Sequence, residues 1–232
     1  MIKLNICAAR VPRMTHAQYS RYMKDSHARL VTGSETMSGL VRAYVQQHVF
    51  DAAYGPLAPP SRYDSVSHIM ADSIADHLAA TKTRDYREVI APDEPNFADG
   101  RTAVFTMLEE SALALPVAGA SPHRLLHYGV CKQGIAPAAL QDGWIAAHAQ
   151  VVAAEPRVLR SVRRAVLNRV KPAPDGQPAF DAMGELGFLE RGDVPAICDY
   201  VAMMEERLAP LLDTDRSFFL LADAVPVRGS LY

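Results

Sequence analysis

The chain opens on an alternation. In IKLNICAA, Ile2, Leu4 and Ile6 fall on one side and Lys3, Asn5 and Cys7 on the other, which predicts a half-buried strand by its period of two. Thr15 with Gln18 three residues on is a capping box, and it opens a helix that runs to about Thr32 with Gly33 as its stop. Tyr19, Tyr22 and Met23 lie on the apolar side of that helix, and His27 shares the side. LVRAYVQQHVF and YDSVSHIM read as two further strands, Ser73 starts a second helix, and RTAVFTMLEE closes with a fourth strand. The order is βαββαβ.

The same order is then written again. The strand RLLHYGVC, a helix over residues 137–153, the strands LRSVRRAVLN and AFDAMGELGFL, a helix over Val194–Leu208 and the strand SFFLLADA follow in turn. Pro195 fits the first turn of the last helix, and Asp193 is placed to cap it. An offset of 121 sets His27 on His148, Met23 on Trp144 and Val41-Arg42 on Val162-Arg163. Farther on, 117 sets Asp64 on Asp181, and 114 sets Asp99 on Asp213, a drift that loop-length changes between two copies produce. The repeats are placed at residues 1–111 and 121–232, joined by the small-residue stretch LALPVAGASP. Two Pro/Gly-rich stretches, AAYGPLAPPSR and KPAPDGQPA, fall between strands two and three of their copies, where a loop over a pocket mouth can sit.

A βαββαβ unit is the ferredoxin-like arrangement, an antiparallel sheet with both helices on one face. Its other face needs cover, and the economical cover is the second sheet. The expected fold is α+β: tandem ferredoxin-like repeats forming an intramolecular α+β barrel.

Composition narrows the function. A 49% hydrophobic and 22% charged chain of 232 residues is ordinary for a globular protein, and no apolar run approaches the roughly 20 residues of a spanning helix, so no membrane partner is expected. The start MIKLNICAARVPR lacks an apolar signal-peptide core. A net charge of −2 with one local basic excess, Arg157 to Arg169, argues against a nucleic-acid partner. Cys7, Cys131 and Cys198 form no C-x-x-C pair, so neither disulfides nor zinc are expected and a reducing cytoplasm is the default location. No two His stand at metal-ligating spacing, and there is neither a G-x-G-x-x-G nor a P-loop, so no cofactor is expected. A haem would need an axial ligand such as His127 or His68.

The run RVPRMT, QYSRYMKDSHARLV, YDSVSHIM and APDEPNFAD resembles the EthD family of the dimeric α+β barrel superfamily, in two tandem copies covering almost the whole chain. Copy one carries all three parts of the family pattern: Tyr22 with His27, Asp64, and the late cluster Asp93, Glu94, Phe97 and Asp99. Copy two keeps Trp144 with His148 and Asp181, but its late cluster is reduced to Asp213 and Asp215 near Phe218. The resemblance implies a barrel with a pocket. Relatives in the superfamily isomerise lactones, close polyketide rings, eliminate water or oxygenate quinols, and some are accessory proteins.

Candidate chemistry follows from the polar groups on otherwise apolar faces. Strand parity places Asn5 and His127 together on the open side of their sheets, as matched ligand contacts. His27 and His148 are each read either as pocket groups or as ties between helix and sheet. His68, whose counterpart is Glu185, breaks the symmetry: if its strand parity faces the interior, it pairs with His27 or Asp64 as a base with its orienting acid, and if it faces the helices it is a core or rim residue. Tyr22 and Tyr44 are read either as aromatic packing, the commoner role, or as candidate proton donors or anion stabilisers. Arg42 suits a carboxylate or enolate, or else a surface ion pair, and Trp144 would contact substrate. The expected activity is cofactor-free acid–base chemistry, that of a lyase or isomerase, on a small oxygenated, largely apolar organic molecule in a catabolic or polyketide-type pathway. It would proceed by dehydration, isomerisation or cyclisation. A non-catalytic accessory protein and a cofactor-independent monooxygenase are the alternatives. The chain is expected to act as a monomer, its own pseudo-dimer, or as a homodimer.

Overall fold

A computed structural model describes residues 1–50, 62–115, 118–155, 157, 160–171 and 178–229, with the backbone alone at Ser38. Most of AAYGPLAPPSR and of KPAPDGQPA therefore lies outside the described residues, as does part of the joining stretch. Eight strands form an antiparallel closed barrel in the order β1-β3-β2-β8-β5-β7-β6-β4. They are β1 (Ile2–Ala8), β2 (Val41–Val49), β3 (Ser65–Ala71), β4 (Val104–Ala112), β5 (His123–Gly129), β6 (Val162–Val170), β7 (Ala182–Phe188) and β8 (Phe218–Arg228). The chain divides into two compact units, the first built mainly from residues 1–51 and 61–108 with 223–231, the second mainly from 109–222.

In the first unit, β3 lies between β1 and β2, with Asn5 facing His68 and Gln46 facing Ser67. The Thr15 capping box is formed, and it starts α1 (His16–Tyr22). The helix then widens into a π-turn at Met23–His27 before resuming as α2 (Ala28–Thr32), followed by the short α3 (Glu35–Ser38). Ser73 caps α4 (Ile74–Ala80). Beyond it comes a run with no counterpart in the sequence expectation: a second π-turn at Tyr86–Ile90, α5 (Ala91–Asp93) and a 3₁₀ turn at Glu94–Asn96. Prolines 92 and 95 stand in the first turns of the last two, where a missing N–H costs no helical bond.

The second unit repeats the frame with regular helices, α6 (Pro137–Ala154) and α7 (Val194–Leu208). Its duplication is visible in backbone detail. The β2–β3 ladder slips between Val41 and Ala43, and the β6–β7 ladder slips at the matched Val162 and Arg164. The isolated bridge Arg10 to Ala98 recurs as Cys131 to Leu212. Asp193 does not cap α7. Its backbone is already right-handed (φ −84°, ψ −5°), whereas a capping side chain needs an extended residue.

Candidate active site

The π-turn decides where His27 points. Ala28 N–H reaches back five residues to the carbonyl of Met23, and Gln46 Nε2 on β2 donates to the same carbonyl at 3.0 Å. A side chain inserted into the helical ladder in this way is a recognised cause of local widening, and π-turns concentrate at functional sites. Gln46 is itself held, because its Oε1 accepts from His48 Nε2 at 3.0 Å. His48 Nδ1 in turn lies 3.1 Å from Ser20 Oγ. Burial depresses His48 to about 3, so it stays neutral, as that arrangement of donors requires.

Around His27 the geometry is that of a base and its orienting acid. Nδ1 lies 3.0 Å from Asp93 Oδ2, and Phe97 packs against the imidazole with centroids 4.7 Å apart. Burial opposes the charged form of Asp93. Hydrogen bonds from Tyr22 (2.5 Å), His27 and Asn96 outweigh it and hold the carboxyl below its usual range. A charged carboxylate can only accept, so Nδ1 carries the proton and the lone pair sits on Nε2. Among the described residues nothing bonds Nε2. Burial pushes the His27 pKa below 6.5 despite Asp93, leaving the ring neutral and basic at pH 7.

His27 lines a cavity of about 220 Å³ between the helical layer and the sheet. Its floor is Ile6, Ala8, Ser65 and Ser67, and Phe97 and Met23 contribute to its apolar wall. By comparison, a cavity of about 150 Å³ accepts benzene, so there is room for a substituted ring system. Glu94 also lines it. Burial raises the Glu94 pKa, against a lowering contribution from Tyr86 Oη at 3.2 Å, so this carboxyl keeps its proton to higher pH than a free one. Tyr19 Oη and Ser65 Oγ, 2.7 Å apart, supply hydroxyls on the same wall. Phe105, 60% exposed, stands at the rim.

Several expected residues sit elsewhere. His68 lies on the sheet face turned away from the helices, where Nε2 meets Asn5 Oδ1 at 3.2 Å and Nδ1 meets Gln47 Nε2 at 3.4 Å. Both ring nitrogens are engaged, so His68 pairs with neither His27 nor Asp64. Asn5 shares that face, but His127 does not. Asn5 faces His68 in its ladder, and the residue facing Glu185 is Leu126, so Leu126 is the counterpart of Asn5 and His127 is turned towards the helices. There it meets Trp144 at 4.8 Å and Glu205 at 3.3 Å.

Asp64 orients neither His27 nor His68. It accepts the backbone N–H of Arg10 at 2.8 Å and meets His16 Nδ1 at 2.8 Å. Asp181 accepts the N–H of Cys131 at 2.7 Å in the matched place, so this aspartate ties a loop in both repeats. Arg42 is exposed and paired with Asp72, the surface alternative. Tyr44 is buried on the helix-facing side of the sheet, packed with Val31, Met37 and Ile90, with its hydroxyl 3.4 Å from Ser67 Oγ. Tyr22 donates to Asp93 at 2.5 Å. His148 has both nitrogens engaged, with Tyr200 Oη at 2.9 Å and the Ala114 carbonyl at 3.0 Å.

Of the expected residues the structure thus gathers His27 and Tyr22, and Tyr44 reaches Ser67 of the cavity floor. It adds Asp93, Glu94, Tyr19, Ser65 and Ser67. Of these, Asp93 and Glu94 had a sequence signal in the late acidic cluster and Tyr19 in the apolar helix side it shares with His27; the two serines had none. Among the described residues no group of three His, Cys, Asp or Glu gathers to hold a metal ion, and no helix is long and apolar enough to cross a membrane.

Comparison with known proteins agrees with this picture. Residues 11–101 match the EthD domain, a span that holds Tyr22, His27, Asp93 and Glu94. The conidial pigment biosynthesis dehydratase EthD of Metarhizium robertsii is 30% identical over 118 residues, 46% of this chain and 80% of that protein. The dehydratase aurZ of Gibberella zeae is 28% identical over 115 residues, 46% of this chain and 75% of that one. For the fold, an anthrone oxidase-like protein superposes over 97% of this chain and 90% of its own, with a TM-score of 0.66 at 11% identity. With one closed eight-stranded barrel and the motif residues assembled in the first half of the chain, this chain belongs to the EthD family of the dimeric α+β barrel superfamily.

Proposed function

We propose that the first repeat eliminates water from a small, largely apolar β-hydroxy carbonyl compound without a cofactor, as a lyase. The observation that carries this is the neutral His27, fixed by Asp93 and Tyr22, with Nε2 as its available nitrogen in an apolar cavity that also holds Glu94, whose pKa burial raises. The names of the fungal dehydratase relatives point the same way. His27 Nε2 takes the proton next to the carbonyl. Of the hydrogen-bonded Tyr19–Ser65 pair, the hydroxyl whose proton is not spent on the other donates towards the oxygen that gains charge, an arrangement most effective where water is excluded. As the carbon–oxygen bond breaks and the double bond forms, Glu94 protonates the departing hydroxide to water. Solvent then resets both groups, and Asp93 stabilises the imidazolium in between. This reading places the working site in the repeat at 1–111 and leaves the repeat at 121–232 as its structural partner.

The test is incubation with cyclic and aromatic β-hydroxy ketones, following the ultraviolet absorbance of the conjugated product. Wild type should turn over a member of the set, and His27→Gln should lose about 10²- to 10⁴-fold in rate. Recovery of every bound compound intact would mean that the chain binds rather than converts.

A further inference from the structure

The second repeat contains the same compartment, already filled. The floor pairs of the first cavity, Ile6 with Ser67 and Ala8 with Ser65, correspond in register to His127 with Gly184 and Gly129 with Ala182. Over that second floor lies Trp144, the counterpart of Met23 and the only tryptophan in the chain. A Cβ at Gly184 would stand 2.6 Å from its Cζ2 and 2.9 Å from its Nε1, and a Cβ at Gly129 would stand 2.7 Å from its Cζ3. Such contacts are too close for any side chain, so both glycines are there to let the indole down onto the sheet. His127 packs against it at 4.8 Å and Trp144 is 1% exposed. Phe219, the counterpart of the rim residue Phe105, packs on His127 at 6.4 Å.

We infer that Trp144 is a built-in occupant of the site that the first repeat leaves open, so that the chain binds one ligand, and that ligand is a flat, fused two-ring aromatic. The indole marks how such a molecule lies: over Ala8 and Ser67, beneath the helix that carries His27, with Phe105 closing on its edge as Phe219 closes on His127. Trp144 Nε1 is buried without a hydrogen-bond partner among the described residues, and it lies over Gly184. In the first repeat that position is Ser67, whose hydroxyl lines the cavity. The ligand therefore carries a hydroxyl or carbonyl oxygen on that edge. This names the substrate class for the site of the proposed dehydration and rests on that assignment, but binding alone tests it.

Calorimetry with 2-naphthol and phenol on the full chain decides the matter. The expected result is one 2-naphthol per chain, with phenol at least tenfold weaker. Met23→Trp combined with Ala8→Gly and Ser67→Gly rebuilds the plug in the first repeat, and should weaken 2-naphthol at least tenfold while circular dichroism shows a folded protein. Should that triple variant not fold, Ala8→Leu, which fills the cavity from its floor, should weaken 2-naphthol as much. No binding of 2-naphthol, two molecules per chain, phenol binding as tightly, or a folded plug variant with unchanged affinity would each overturn the inference. Naphthol selectivity with no turnover of any hydroxy ketone would instead defeat the dehydratase reading and leave this one standing.

Discussion

His27 and His148 hold the same place in two copies of one unit, and they have opposite fates. Each ends up buried on the helix side that meets the sheet. His148 spends both nitrogens on the protein, one on Tyr200 and one on a carbonyl, and so fastens a helix to its surroundings. His27 spends one nitrogen on a carboxylate and keeps the other. The difference begins on the neighbouring strand, where Gln46 in the first repeat corresponds to Leu167 in the second. An amide at that position reaches the helix carbonyl and accompanies a π-turn, whereas the aliphatic residue lies beside the unbroken α-helix α6. A repeated histidine is thus neither a fold element nor a site by virtue of repetition. Its free valence decides.

The largest effect expected from this comparison is kinetic. His27→Gln should abolish most turnover, by the two to four orders of magnitude given above. His148→Gln should leave the rate within about twofold but lower stability by about 1 to 3 kcal/mol, because buried partners lose a bond. Urea denaturation and initial rates on both variants measure this, and equal loss of activity in the two would break the asymmetry.

Acid should expose a second difference, since the first repeat carries His48 where the second carries Arg169. Buried and held neutral to about 3 in the folded state, His48 takes up a proton near 6.5 once unfolded. The unfolded chain therefore binds more protons in that window, so stability is full above pH 6.5 and falls as pH drops towards 3. At pH 4.5 the loss is about 3 kcal/mol. His48→Gln should flatten the difference between urea midpoints at pH 7 and pH 4.5, and an unchanged difference would remove His48 from the account.

Gln46→Leu makes the first repeat resemble the second at the residue beneath the π-turn. It should lower kcat about tenfold through misplacement of His27, while the mirror change Leu167→Gln leaves activity intact. Smallest of all, Tyr22→Phe removes one of the hydrogen bonds that hold Asp93 charged, and a drop of a few-fold in kcat is expected, with the acidic limb of the pH–rate profile displaced. A change in KM alone would instead make Tyr22 a binding residue.

Much of this architecture is legible in the chain. Alternation, the capping box at Thr15, the apolar stripe of Tyr19 and Met23, and the drift of offsets from 121 to 114 are local patterns, and each corresponds to a strand, a helix or a repeat in the structure. The late acidic cluster was visible too, but not the partner of Asp93, because a contact across 66 residues leaves no periodicity. Local sequence determines which backbone states are cheap and which faces are apolar. The tertiary structure alone decided that His68 turns away from the helices, that Asp64 ties a loop and that an amide on β2 meets a π-turn. It also decided that Trp144 comes to rest on two glycines. Each depends on strand register and on side chains meeting from distant elements, and a one-residue change of register would reverse every such face.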